Sequence, residues 1–163
     1  MIFVTGDDHL GHGNILNYCK RPFKSLDHMN LELIRRWNEV VKPSDLVIHL
    51  GDFCFERGEQ DHRYWREQLN GDIVFIQGNH DGHRNAPFQS LVFKYGGIDW
   101  WCSHYPETRY KHNLCAHVHT LWRTRKTGMY VILNCGVDVH GFAPVSMDEV
   151  MRIVRGAPIG ESK

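Results

Sequence analysis

Apolar residues in this chain gather in short runs that stop at glycine. Residues 2–5, 46–50 and 73–76 are three such runs, rich in β-branched and aromatic side chains, and Gly6, Gly51 and Gly78 end them. Short, mainly apolar runs bounded by turn formers predict strands buried on both faces. Between the first two, Leu26, Met29, Leu33, Trp37 and Val40 recur at helical spacing behind Ser25, a good N-cap, and Pro43-Ser44-Asp45 ends the helix. Residues 59–69 predict a second helix with Trp65 and Leu69 inward, closing near Gly71. Strand–helix–strand–helix–strand means a parallel sheet. The pattern then changes. Residues 91–95 and 98–103 flank Gly96-Gly97 as a hairpin, and residues 114–119 and 129–134 read as further strands joined by the basic stretch 121–126. Ser146 caps a last helix over 147–155, with Met147, Val150, Met151 and Val154 inward. One α/β domain over residues 1–155 is expected, with 156–163 as a frayed tail.

Composition narrows the class. A chain of 163 residues, 42% hydrophobic, can bury a real core. Lys+Arg 19 against Asp+Glu 19 leaves a net charge of +0, so no strong nucleic-acid footprint is present. The five cysteines contain no Cys-x-x-Cys pair, which points to free thiols and a cytoplasmic location. The opening Met-Ile-Phe-Val-Thr is too short for a signal peptide, and no stretch is apolar enough to span a membrane. The unusual figure is His 12, since histidine is the commonest transition-metal ligand.

Ligand-capable side chains cluster where the strands end. Asp7 and His9 follow the first strand, Asp52 the second, and Asn79 and His80 the third; His104 ends the hairpin. His117 and His119, two apart on a predicted strand, share a face. Each alone has a plain structural reading: a turn aspartate, a surface histidine, a satisfied core imidazole. Gly78-Asn79-His80-Asp81 fits an ordinary turn as well as a site. Together they require every inner strand to end by chance in metal-binding residue types. Seven oxygen and nitrogen donors without a thiolate suit Mn, Fe or Zn. Seven also exceed one open mononuclear site, so two ions sharing a carboxylate fit better.

The motifs Asp7-x-His9, Gly51-Asp52, Gly78-Asn79-His80-Asp81, Ser103-His104 and His117-x-His119 stand in the order of those of calcineurin-like metallophosphoesterases. The longer strings His9-Leu10-Gly11-His12, Leu50-Gly51-Asp52-Phe53, Ser103-His104-Tyr105-Pro106 and Gly136-Val137-Asp138-Val139 resemble the small bacterial and phage branch. This resemblance implies a sandwich of two mixed sheets with helices outside and a dinuclear site at the strand ends. It implies one ion on Asp7, His9, Asp52 and His119, and another on Asp52, Asn79, His104 and His117. The cofactor is then two divalent ions, Mn foremost, with Fe, Zn or Ni as alternatives. The implied reaction is in-line attack of hydroxide, held between the ions, on a small phosphoester. Phosphodiesters of nucleotide size are the expected substrates, with His80 protonating or stabilising the leaving oxygen. A nuclease and a catalytically silent scaffold are the alternatives; the repair nucleases of this class carry added DNA-holding domains.

Two departures stand out. Ala116 occupies the place of the usual glycine before the last His-x-His. Phe55 replaces the aspartate of the protein phosphatases, leaving Asp81 and Glu56 as candidate partners of His80. His12, three residues after His9 in a glycine-rich loop, Asn14 and Arg84 are candidate substrate contacts; His83 and His140 are weaker ones. His49 reads as a hydrogen-bonded core residue, His28, His62 and His112 as surface positions, and Cys54 as packing. Arg109, Lys111, Arg123, Arg125 and Lys126 fit an anion-attracting patch or a solvated loop equally well.

Overall fold

The computed structural model describes residues 1–55, 60–82 and 84–156. Two mixed sheets face each other. The first has the order β3-β2-β1-β9, with β1 (Ile2–Thr5), β2 (Leu46–His49) and β3 (Asp72–Phe75) parallel and the two-residue β9 (Val145–Ser146) antiparallel to β1. The second runs β4-β5-β6-β8-β7, built from β4 (Ser90–Tyr95), β5 (Ile98–Ser103), β6 (His112–Cys115), β7 (Thr124–Thr127) and β8 (Tyr130–Asn134). Here β5, β6 and β8 are parallel, and β4 and β7 form antiparallel edges.

Strand alternation explains the layers. Val4 and Ile48 point between the sheets, where they meet Trp100, Leu114 and Leu133 of the second sheet and Met147, Val150 and Met151 of α4 (Met147–Arg155). Phe3 and Val47 point the other way, onto Met29, Leu33 and Trp37 of α2 (Leu26–Val40), Trp65 of α3 (His62–Arg66) and Ile15 of α1 (Ile15–Tyr18). Ser25 and Ser146 cap α2 and α4 as their sequences predict, each side-chain oxygen accepting from the backbone N–H three residues on. Among the described residues, no helix is long and apolar enough to cross a membrane.

Several expectations are corrected. The run 73–76 is not a doubly buried strand: β3 is the edge of its sheet, Ile73 to Phe75 are half-buried, and only Ile76 is fully covered. Apolar content shows that a strand is buried somewhere, not that neighbours lie on both sides. The second helix is one short turn capped by Asp61, whose carboxylate accepts from Tyr64 N–H; the expected start at Glu59 lies outside the described residues. The strand expected over 114–119 ends at Cys115, and part of the basic stretch is itself edge strand β7. His62 is no surface residue, since its ring packs on Phe53 and Phe75; His28 and His112 are half-buried against Phe23 and Trp100. Gly156 ends α4 in a left-handed C-cap, and 157–163 lie outside the described residues.

The sheets converge where β1 ends. A Cβ on Gly6 would lie 2.7 Å from the Ala116 Cβ and 3.3 Å from that of Leu50. The alanine that departs from the usual glycine is thus accommodated by a glycine on the facing sheet. Gly6 does not need a left-handed backbone, so the constraint is steric alone. Gly6→Ala is expected to cost about 1–3 kcal/mol in denaturant unfolding, the scale of overpacking. In an Ala116→Gly background most of that cost should vanish; strictly additive losses would show that the two positions are not packed against each other.

Candidate functional site

Beyond the last strand residues, the loops after β1 and β2 stay paired: Asp7 N–H donates to Gly51 O, His9 N–H to Asp52 O and Leu10 N–H to Phe53 O, each at 3.0 Å. This brings Asp7, His9 and Asp52 side by side. Asp81 locks the third loop to them, its carboxylate accepting from Asp52 N–H (2.6 Å), Gly78 N–H (2.8 Å) and Phe53 N–H (3.0 Å). With three backbone N–H groups on its carboxylate, Asp81 is a loop clamp. Glu56, the other candidate, is outside the described residues. Gly51, at φ 101°, lies so near Gly78 that a Cβ would sit 2.5 Å from the Gly78 nitrogen.

His117 and His119 do not share a strand face. Both follow β6 in a loop with left-handed φ, 68° and 45°. Asp7, His9 and Asp52 have φ of 59°, 53° and 57°. Five of the seven non-glycine residues with positive φ among the described residues are therefore candidate ligands; the other two are Lys20 and Phe142. Such backbone costs energy unless the surroundings enforce it, and it concentrates at functional sites. Here the enforcing bonds are the loop pairings and Asn134, whose amide donates to His119 O (2.8 Å) and Trp122 O (2.9 Å).

The side chains meet around Asp52. Its Oδ1 accepts from His80 N–H at 2.9 Å, while Oδ2 lies 3.6 Å from His9 Nε2 and 3.5 Å from His104 Nε2. On one side stand Asp7, His9 and His119, and on the other Asp52, His104 and His117, with the ligand atoms of each group within 4.8 Å of one another. Asn79 joins the second group, its Oδ1 3.0 Å from His104 Nε2. The seven predicted ligands thus fall into two groups that touch at Asp52.

The donors are arranged for cations. His104 Nδ1 lies 2.9 Å from Leu50 O, a pure acceptor, so the ring proton sits there and Nε2 presents a lone pair. Burial keeps the second proton off by lowering this imidazole below its ordinary value. That lone pair faces Asn79 Oδ1 at 3.0 Å and His117 Nδ1 at 3.2 Å, an arrangement a positive ion would hold together. On the first side, Asp7 Oδ2 and His9 Nε2 are buried and have no hydrogen-bond partner. Burial pushes the Asp7 carboxyl up to about 7 despite the nearby His119, and holds His9 well below the ordinary imidazole range with Arg21 and His119 adding to the effect. A divalent cation would supply the counter-charge both lack. The residues fit the ions the sequence implies.

A second layer was not predicted. Arg21, fully buried, donates to Asp8 O (2.8 Å) and Asp7 O (2.6 Å) and pairs in two places with Asp138. Asp138 Oδ2 in turn lies 2.9 Å from His119 Nδ1. Burial opposes charge on His119, but Asp138, Cys19 and Asp7 outweigh it and raise the ring to about 10. His49 is the core residue expected, accepting from Gly51 N–H through Nδ1 and so donating from Nε2 to buried Asp8 at 2.8 Å. For Arg21 the sequence offers no local signal, only a cation in a loop.

His80 is exposed above the cluster, its ring 5.4 Å from that of His9 and 5.7 Å from that of His12. His12 stands in the cleft, stacked on Phe55 at 4.9 Å with Nδ1 3.4 Å from His9 Nδ1. Asn14 and Arg84 are exposed, and the Asn14 carbonyl opens α1 by accepting from Tyr18 N–H. His140 points into a different hollow, with Arg123 and Glu149. Of the basic residues, Arg109 covers Trp101, Arg125 covers Trp122, and Arg123 reaches Glu149. Phe55 is at the rim beside His12. All five cysteines are free thiols.

Fold and cluster define an α/β two-sheet protein with a strand-end histidine–carboxylate site of metal-binding type. The sequence is 33% identical over 162 residues to the uncharacterized protein MJ1445 of Methanocaldococcus jannaschii, covering 94% of this chain and 90% of that one. The chain belongs to the family of that archaeal protein. No family model matches. The fold is shared with the protein of unknown function AQ665 from Aquifex aeolicus, at a TM-score of 0.70 and 22% identity over 94% of this chain and 98% of that one. A conserved uncharacterized protein of Streptococcus pneumoniae, a predicted phosphoesterase, overlaps less: TM-score 0.48, 20% identity, 83% and 71% coverage. Overlap at that level carries no structural argument.

Proposed function

We propose that this protein is a metal-dependent phosphoesterase acting on small phosphodiesters. The observation that carries this reading is Asp52 Oδ2 standing between His9 Nε2 and His104 Nε2, which gives two ligand groups one carboxylate in common. Asp7, His9, Asp52 and His119 would hold one divalent ion and Asp52, Asn79, His104 and His117 the other. Such a pair, when bound, neutralises phosphate oxygens and supplies hydroxide near neutral pH. The chain's own residues do the rest. His80, tethered through its backbone N–H to Asp52, leaves its ring free to meet the leaving oxygen. His12 lines the same cavity and supports His9 through the nitrogen that faces it.

The cleft wall supports a diester preference. The cavity over the histidines, about 390 Å³, is lined by Ile15, Tyr18, Val118 and Leu121 beside the site residues, and among the described residues no Lys or Arg lines it. A monoester dianion finds no cation there beyond the metal centre, whereas a diester carries less charge and a second organic arm for the apolar wall. With Mn²⁺ supplied, a bis-aryl phosphodiester should turn over faster than its monoester. A preference of about tenfold or more for the monoester would make the protein a phosphatase. Silence on both, with metal bound, would make it a scaffold.

A further inference from the structure

Cys19, at the C-cap of α1, faces the same cleft as His9 and His119. Next to it, Lys20 adopts left-handed φ, and the chain turns so that Arg21 runs beneath the cluster while Cys19 stays above it. One ligand atom each from Cys19, His119 and Asp138 lies within 4.8 Å of the other two. The Nδ1 of His119 is 2.9 Å from Asp138 Oδ2 and 3.8 Å from Asp7 Oδ2, the buried oxygen without a hydrogen-bond partner. One nitrogen therefore stands between two possible cation positions with different donor sets. The Asp7–His9 side offers oxygen and nitrogen only; the Cys19 side adds sulfur.

We propose that Cys19, His119 and Asp138 form a separate position for a soft divalent cation such as Zn²⁺, and that its occupancy withdraws His119 from the Asp7–His9 side. Thiolate, imidazole and carboxylate together suit a tetrahedral borderline-soft ion with a fourth position open to water from the cleft, and they disfavour Mn²⁺. Binding releases the thiol proton and the His119 Nδ1 proton to solvent. The Arg21–Asp138 pair limits affinity, because the guanidinium already occupies part of the carboxylate and repels a cation. A site that fills only when soft metal is plentiful is the consequence. The competition for His119 rests on the phosphoesterase reading only in that it would inhibit the Mn²⁺ form; the ligand set does not depend on that reading.

The test uses the full chain, stripped of metal, and cadmium or zinc alone as probe. Cd²⁺ should give a thiolate-to-metal charge-transfer band in the ultraviolet that Cys19→Ser, checked for an unchanged melting profile, lacks. The other four cysteines are buried, so alkylation by iodoacetamide at Cys19 can be followed by peptide mass. Zn²⁺ should slow that alkylation by about tenfold or more, and Mn²⁺ by less than about twofold. A band that persists in Cys19→Ser, or equal protection by the two metals, overturns the proposal. If no ester is hydrolysed under any metal, the phosphoesterase reading fails while the band and the protection still decide this one.

Discussion

Asp52→Asn is expected to remove both ions while leaving the fold intact. Its backbone stands at φ 57°, a conformation asparagine adopts as readily as aspartate, and the loop bond from Asp52 N–H to Asp81 does not involve the side chain. The side chain is different. One oxygen accepts from His80 N–H, and the other faces the nitrogens of His9 and His104. An amide must put its NH₂ on one of these two sides. Toward His80 it sets donor against donor; toward the imidazoles it donates to the lone pairs that would hold the cations. Either way the shared negative charge is gone. Removing partners that only support a ligand already costs 10–100-fold in metal affinity, so a ligand common to both ions should cost at least about 100-fold for each. Elemental analysis at fixed free Mn²⁺ checks this. Two ions retained at wild-type affinity would end the bridging role of Asp52; loss of one alone would assign it to a single ion.

What could be read from the sequence divides along a physical line. Asp7, His9, Asp52 and Asn79 were legible as polar residues gathered where apolar strands end, each strand followed by a glycine. His104 and the pair His117 and His119 were legible as residue types, but not in geometry: alternation at spacing two describes a strand face and equally a turn in left-handed backbone. Cross-chain contacts choose between these, and the choice is made here by Asn134 and by His117 N–H donating to Asp7 Oδ1. Such contacts leave no local trace. For the same reason Arg21 and Asp138, 117 positions apart, could not be matched, although their pair underlies His119. Asp81 illustrates a different limit. Its place in the turn was plain, yet only the positions of three N–H groups show that it serves the backbone. Edge and centre were also indistinguishable, since β3 and β2 carry similar apolar runs and differ in what lies beside them. Cys19 has no local signal either: nine positions separate it from His9, and only the turn of α1 returns it to the cleft.

His80→Ala separates holding metal from doing chemistry. The group that ties residue 80 to the site is its backbone N–H, which donates to Asp52 Oδ1 and survives the substitution. No ligand distance depends on the His80 ring, which reaches His9 and His12 only through ring contacts beyond 5 Å. Metal content and melting temperature should therefore stay at wild-type values. The kcat should fall by on the order of 10²–10⁴, the range for a positioned general acid. With the lost interaction assigned to the departing oxygen under the proposed function, kcat and kcat/KM should fall together, with KM little changed. The deficit should shrink as the leaving group becomes more acidic: near its full size for an alkoxide, and much smaller for nitrophenolate, which departs without a proton. A series of aryl and alkyl diesters measured under saturating Mn²⁺ gives that dependence directly. Equal losses across the series would recast His80 as a purely electrostatic partner of the phosphate. Loss of metal along with activity would place its side chain among the groups that hold the ions, which its outward position in the cleft argues against.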